Sequence, residues 1–442
     1  MIQQNIGARV SAVTGAVGGS ATGTVGSNTG GAVGTGGTSG AGGTEPANFT
    51  DSLTYDNSNT DRENALRRFA MMGSFDSSTG LGLAALGLGP TDQGSDSGVG
   101  GVSGVDGRSA LESASPFTVW GHGSFTRVDN DYVSGTTDNR YDGDVWGYNI
   151  GLDYSFADTL TAGVSVGYND TDLTTSFNSG TYKETGWVLS PYAIYRPIAD
   201  LTVVAEAGFG QGDVDVTRNS GAITGNADSG IWYAALSTSY KIRPVETLPV
   251  SLSPSVALIT ARKTVDGYTE SDGTRVESTR SNTRQIKPGI EAAYDFTPTD
   301  TLMVTPFVET GLVYDFTDEI NNDKTAFNIG GGVRLSDAVT GLNAALEGSY
   351  LIGRSDYNEY TIGGTITYGF AISDDEGRQL GVVKPFFGSN LNEYGNQRIR
   401  TGLGFTSGSL TGELSLNHMM SVANEEDTAD SSSIQLGVSM PF

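Results

Sequence analysis

Over the last ten residues apolar side chains take every second position, Ile434, Leu436, Val438, Met440 and Phe442, with small or polar residues between them. That is the period of a β-strand with one apolar face. Most chain ends are frayed and polar, whereas this one is a two-faced strand ending on an aromatic, as expected of the closing strand of an outer-membrane barrel. The same alternation recurs upstream. Trp146, Tyr148, Ile150, Leu152, Tyr154 and Phe156 share one face, and Gly147, Asn149, Gly151, Asp153 and Ser155 share the other. Further on, Ile286, Pro288, Ile290, Ala292, Tyr294 and Phe296 alternate with Lys287, Gly289, Glu291, Ala293 and Asp295, which puts both signs of charge opposite the aromatics. In lipid every backbone polar group must be paired within the protein. Alternating strands can therefore span a bilayer only as a closed barrel, apolar outside and polar inside.

Alternating segments run from about Pro116 to the end, and sixteen strands are predicted, from 117–128, 144–157 and 159–172 through 358–370 to 396–407, 409–421 and 432–442. Short turns such as Phe156 to Thr159 and Thr297 to Asp300 separate some of them, and long polar loops, Asp129 to Asp142 and Thr269 to Asn282, separate others. Short turns on one rim and long loops on the other are the asymmetry of periplasmic and extracellular ends. Residues 1–115 read differently. They are rich in Gly, Ser and Thr, a composition that buries too little apolar surface to offset backbone entropy, so a flexible segment is expected. Within it, 60–72 forms a short amphipathic helix in this reading: capping residues precede Leu66, Phe69 and Ala70 on one side, and Arg62, Arg67 and Arg68 lie opposite.

Composition changes the picture only by exclusion. A mean hydropathy of −0.21 looks soluble, yet half of every barrel strand is polar, so a barrel gives the same average. The longest apolar run, Gly80 to Gly89, falls far short of the roughly 20 residues a spanning helix needs. A formal charge of −26 argues against nucleic-acid binding, which requires a basic footprint. Absence of cysteine is compatible with an envelope protein but does not choose a compartment. The amino terminus lacks the basic-then-apolar pattern of a secretory signal, so the chain is expected to be a fragment or a processed form.

Chemistry is sparse. The two histidines, His122 and His418, have no neighbouring Asp or Ser pattern that marks a catalytic pair, and an enzyme is not expected. The acidic runs Asp374 to Glu376 and Glu425 to Asp427 are read as solvated loop charge, with no metal site, and the Gly-rich runs lack the Lys of a phosphate cradle; no cofactor is expected. The polar face carries more. By parity Asp153, Glu206, Lys287, Glu291, Asp295, Glu309, Asp315, Arg334, Glu347 and Glu413 point into the lumen. They form either an ion-pair network that stiffens the barrel or an acidic lining that favours cations or a basic segment.

Several stretches in order resemble the β-domain of autotransporters, the translocator part of type V secretion proteins: Trp120-Gly-His-Gly-Ser-Phe125, Trp187-Val-Leu-Ser-Pro-Tyr-Ala-Ile-Tyr195, Ala205-Glu-Ala-Gly-Phe-Gly-Gln-Gly212, Val265-Asp-Gly-Tyr-Thr-Glu270 and Thr361 to Phe370. The resemblance covers roughly 116–370 and about twelve strands. It implies an all-β transmembrane antiparallel barrel in the bacterial outer membrane, in contact with its lipids. It implies export or surface display of an N-terminal passenger, and folding by the barrel assembly machinery, which reads the last strand, here Val438, Met440 and Phe442. Residues 371–442 depart from the family by following its terminal strand, and are read as additional strands extending the barrel to about sixteen, with a twelve-stranded barrel plus appendage as the alternative. The helix at 60–72 lies further from the first strand than the family's pore helix, and no repetitive passenger precedes it. The other functional reading is a porin-like pore for small solutes, with the N-terminal arm as plug and its arginines near Glu291, Asp295 or Glu309.

Overall fold

The computed structural model describes the strands and much of the connecting chain between Pro116 and Pro441; residues 1–115, Phe442 and parts of the loops lie outside the described residues. Sixteen strands follow one another as up-and-down neighbours. They are β1 Phe117–Asn130, β2 Tyr141–Ala157, β3 Leu160–Thr175, β4 Gly180–Ile198, β5 Leu201–Arg218, β6 Ile223–Tyr240, β7 Val250–Val265 and β8 Thr279–Tyr294. There follow β9 Leu302–Asp315, β10 Thr325–Asp337, β11 Leu342–Ile352, β12 Glu359–Tyr368 continued past Gly369 by Phe370–Ser373, β13 Gln379–Asn392, β14 Asn396–Ser407, β15 Leu410–Ser421 and β16 Ala429–Pro441. Every pairing is antiparallel, and β1 pairs with both β2 and β16, with Thr118 opposite Pro441 and Asn130 opposite Ala429. The sheet thus closes on itself and leaves no edge, as a bilayer requires. Residues beyond Phe370 belong to this one barrel: β13 pairs with β12, and β16 with β1.

The pleat sorts the side chains. Trp146, Ile150, Val308, Leu346 and Ile362 stand exposed on the outside, while Asp153, Asn169, Ser190, Thr305 and Asn328 are buried on the inside. Outward aromatics collect at two levels. The upper belt runs through Trp146, Tyr148, Tyr168, Trp187, Phe209 and Trp232, with Tyr148 and Tyr168 stacked at 5.3 Å and Trp187 edge-on to Phe209 at 5.8 Å. The lower belt includes Tyr154, Phe156, Tyr195, Tyr240, Tyr294 and Phe370. From Trp187 to Tyr195 the strand rises about 26 Å, or about 20 Å along the normal at a tilt near 40°, close to the apolar band of outer-membrane barrels.

Above the upper belt the strands extend further than the sequence pattern predicts, and there the faces invert. Outward positions are polar, as in the Lys183–Asp172 pair, whereas inward ones are apolar, as in Leu173, Tyr182 and Val214. The stretches read as loops, Asp129 to Asp142 and Thr269 to Asn282, are corrected accordingly: β1 reaches Asn130, β2 begins at Tyr141, β8 begins at Thr279, and residues 268–269 pair with 275–276 in a short hairpin. Leaving lipid, the outer face meets water, so the period-two signal persists with reversed polarity and reads as a loop.

Candidate functional site: the barrel interior

Inward side chains of β1 to β7 pack on one another rather than lining an empty tube. Large aromatics lie over glycines of neighbouring strands, where only a missing Cβ leaves room. The Trp120 ring covers Gly151, and Tyr192 covers Gly163; a Cβ built on either glycine would fall within 2.7 Å of the ring. The two aromatics meet at a carboxylate: Trp120 Nε1 donates to the Tyr192 hydroxyl at 2.7 Å, which donates to Asp153 Oδ2 at 2.8 Å. Tyr233 covers Gly208 and donates to Ser190 Oγ at 2.8 Å. Val188, Ile231 and Ala261 complete this cluster.

Nearer the extracellular end lies a buried ionic group. Lys263 Nζ on β7 reaches Glu184 Oε2 on β4 at 2.8 Å, and Tyr182 and Ser229 donate to the same carboxylate at 2.6 and 3.0 Å. Above it, Tyr141, Val145, Leu173, Tyr182, Val214, Ala227 and Val265 form an apolar cluster, and the loop hairpin adds Tyr268 and Val276 to it. The hairpin is tied down at its tip, where Arg218 donates to Glu270 at 3.0 Å and to Asp272 at 2.6 Å. Three layers, aromatic, ionic and apolar, thus fill the lumen side of β1 to β7.

The remaining strands carry separate ion pairs. Arg334 on β10 donates both terminal nitrogens to Glu291 on β8, at 3.2 and 2.8 Å, with its guanidinium 3.8 Å from the Phe307 ring centre. Glu291 stands directly opposite Glu309 in the β8–β9 register, so this arginine also offsets a like-charge pair. Arg400 on β14 donates to Glu413 on β15 at 2.7 Å and lies 5.3 Å from the Phe386 ring centre. At the periplasmic rim, just past β6, burial holds the Lys241 ammonium below the usual lysine range, while the Asp295 carboxylate pulls it back up.

Of the residues assigned to the lumen by parity, Asp153, Glu206 and Asp315 are buried, and Glu291, Arg334 and Glu413 are in the ion pairs above. Asp295 accepts from Thr305 at 2.8 Å; Lys287, Glu309 and Glu347 are half-buried. Sequence reasoning missed Glu184, Lys263, Trp120 and Tyr192. The parity of Glu184 and Lys263 points inward, but both lie near predicted strand ends, where a face is hard to assign. Val438 and Met440 are exposed on the outer face of β16. Phe442, and Arg62, Arg67 and Arg68 of the helix expected at 60–72, fall outside the described residues. His418 Nδ1 lies 2.9 Å from Ser432 Oγ at an exposed position.

A closed antiparallel sheet with an apolar belt outside and charges inside defines a transmembrane barrel of the bacterial outer membrane. The sequence family described as Autotransporter beta-domain matches residues 119–355, and the chain belongs to that family, whose barrels serve transport. No curated protein sequence matches it. Among solved structures, it is similar to the translocator domain of NalP from Neisseria meningitidis at 10% identity and a TM-score of 0.36, covering 75% of this chain and 91% of that one. It is also similar to the transport unit of AIDA-I from Escherichia coli at 15% identity, TM-score 0.39, with coverage of 74% and 90%. The toluene transporter TodX from P. putida gives 9% identity, TM-score 0.38, and coverage of 74% and 90%.

Proposed function

We propose that this barrel is an outer-membrane translocator and anchor that exports or displays its N-terminal segment at the cell surface. One observation carries the reading beyond the family itself. Residues 1–115 join β1 at Phe117, and Pro116 accepts a hydrogen bond from Ser155 on the rim where the turns after β2 and β4 are short. The segment therefore enters from the periplasmic rim, and a closed barrel offers it only the lumen as a way out. Glu291 is already paired with Arg334, so among these inner carboxylates Asp295 and Glu309 are the ones that offer charge complementarity to a basic segment such as Arg62, Arg67 and Arg68. Insertion by the barrel assembly machinery, reading Val438, Met440 and Phe442 on the closing strand, belongs to the same proposal.

The test is topological. An epitope inserted after Gly42 should be reached by antibody and by added protease on intact cells. If it is protected until the outer membrane is permeabilised, display is wrong, and the porin-like alternative, favoured by a strand number that can leave an aqueous channel, takes its place.

A further inference from the structure

The upper aromatic belt is interrupted on two adjacent strands, and arginine stands in the gap. The register places Arg262 on β7 beside Trp232, the last belt residue on β6. On the far side, Phe316, just past β9, is exposed and donates its backbone N–H to the carbonyl of Arg284 on β8. Arg262 and Arg284 thus occupy the level at which the neighbouring strands carry aromatics. Arg280 lies four residues further out on the same face of β8, and Arg262 pairs in register with Asn282, midway between the two. The three guanidinium groups share one outward patch.

The patch is built, and no ion pair among the described residues neutralises it. Arg262 Nε donates to Asn282 Oδ1 at 2.7 Å, and its guanidinium lies 6.0 Å from the Trp232 ring centre, so its head is held in place. Arg280 and Arg284 are exposed, and among the described residues none of the three arginines forms an ion pair. In a chain with 51 acidic and 25 basic residues, three neighbouring arginines without an ion-paired carboxylate among the described residues go against the composition. Their level is that of the polar headgroups of the outer leaflet. A guanidinium fork matches phosphate oxygens two at a time, and the bond gains strength at a partly dehydrated interface.

We infer that Arg262, Arg280 and Arg284 bind the phosphate groups of an anionic lipid in the outer leaflet, of the phosphorylated lipid A type, and so hold a lipid against β7 and β8. The inference rests on the outer-membrane location and is independent of what crosses the lumen.

The test uses the full chain refolded in detergent micelles, with native mass spectrometry counting retained lipid. The probes are bis-phosphorylated lipid A and the same lipid stripped of both phosphates. The intact chain should retain the phosphorylated lipid at least about tenfold better than the R262Q/R280Q/R284Q variant, and retain the stripped lipid no better than that variant does. Because the three side chains face outward, heat modifiability should be unchanged. If the triple variant does not fold, the single R284Q and the triple lysine replacement serve, with the lysine chain expected to keep part of the binding. Equal retention by the intact and substituted chains, or equal retention of both lipids, overturns the inference. Displacement of the lipid by millimolar inorganic phosphate, with no preference left for a lipid, also overturns it, since the site would then be one for free phosphate.

Discussion

Lys263 on β7 and Glu184 on β4 meet at 2.8 Å although two strands lie between theirs, and both side chains are almost wholly removed from solvent. Such contact needs a sheet curved tightly enough to bring its inner faces together. A lone charge left at this depth is costly. Lys263→Met, which leaves Glu184 unpaired, should lower stability by about 3–5 kcal/mol. The Lys263→Met/Glu184→Gln double variant should recover much of that loss. Urea titration of the folded, heat-modifiable form in detergent measures both, and a double variant no better than the single one would deny that the pair is coupled.

The Trp120, Tyr192 and Asp153 chain makes a smaller demand. Tyr192→Phe keeps the ring over Gly163 but removes the acceptor of the indole N–H and a donor to the carboxylate. A loss of about 1–3 kcal/mol is expected, since buried partners go unsatisfied while packing is retained. Tryptophan fluorescence should shift with it. If stability is unchanged by urea titration, water reaches these groups and the cluster is wetter than the geometry implies.

Two glycines on neighbouring strands give opposite expectations from one substitution. A Cβ on Gly208 would fall 2.2 Å from the Tyr233 ring, whereas one on Gly230 meets nothing within 4 Å. Gly208→Ala should cost about 1–3 kcal/mol through overpacking. Gly230→Ala should be neutral or stabilise by up to about 1 kcal/mol through the unfolded chain. Similar effects at the two sites, in the same urea assay, would contradict the packing of aromatic on glycine.

The membrane face can be separated from an ordinary water-exposed face by solvent. Leu346 is 63% exposed on the outside of β11, so in water an arginine there would be tolerated. In a bilayer it should cost about 2–4 kcal/mol if the site is near the midplane. Leu346→Arg is therefore expected to fold in micelles and to insert poorly into phospholipid vesicles. Equal insertion of both chains would move Leu346 out of the apolar band.

How far the interior could be read in advance follows from the same physics. The faces of β2 and β8 were legible because lipid on one side and a polar lumen on the other impose opposite polarities at period two, as in Trp146 against Asp153. Above the belt that contrast reverses, so Leu173 and Tyr182 looked like loop residues although they sit in β3 and β4. The Glu184–Lys263 pair was out of reach for another reason. Its partners are distant in sequence and joined by curvature, which parity does not encode. The Arg334–Glu291 pair was half legible: both residues were placed inside, but their partnership depends on the β8, β9 and β10 registers.

The extracellular hairpin offers the last expectation, which concerns conduction. Its Tyr268 and Val276 side chains join the apolar cluster on the inner face of β2 to β7, and Arg218 clamps its tip through Glu270 and Asp272. A Cβ on Gly225 would strike the Tyr268 ring at 2.2 Å, so the hairpin is seated closely on β6. Exposed ion pairs alone contribute about 0–1 kcal/mol, but Glu270 is buried and the aromatic anchor adds apolar burial of about 1.5–3 kcal/mol. Neither contact by itself should decide the hairpin's position. The double variant Arg218→Gln/Tyr268→Ser removes both and should release the hairpin from the lumen side of the strands. In planar bilayers it should then conduct more, or with more frequent open events, than the intact chain, while Arg218→Gln alone changes conductance little. If the double variant conducts like the intact chain, the hairpin lies clear of the path that ions take.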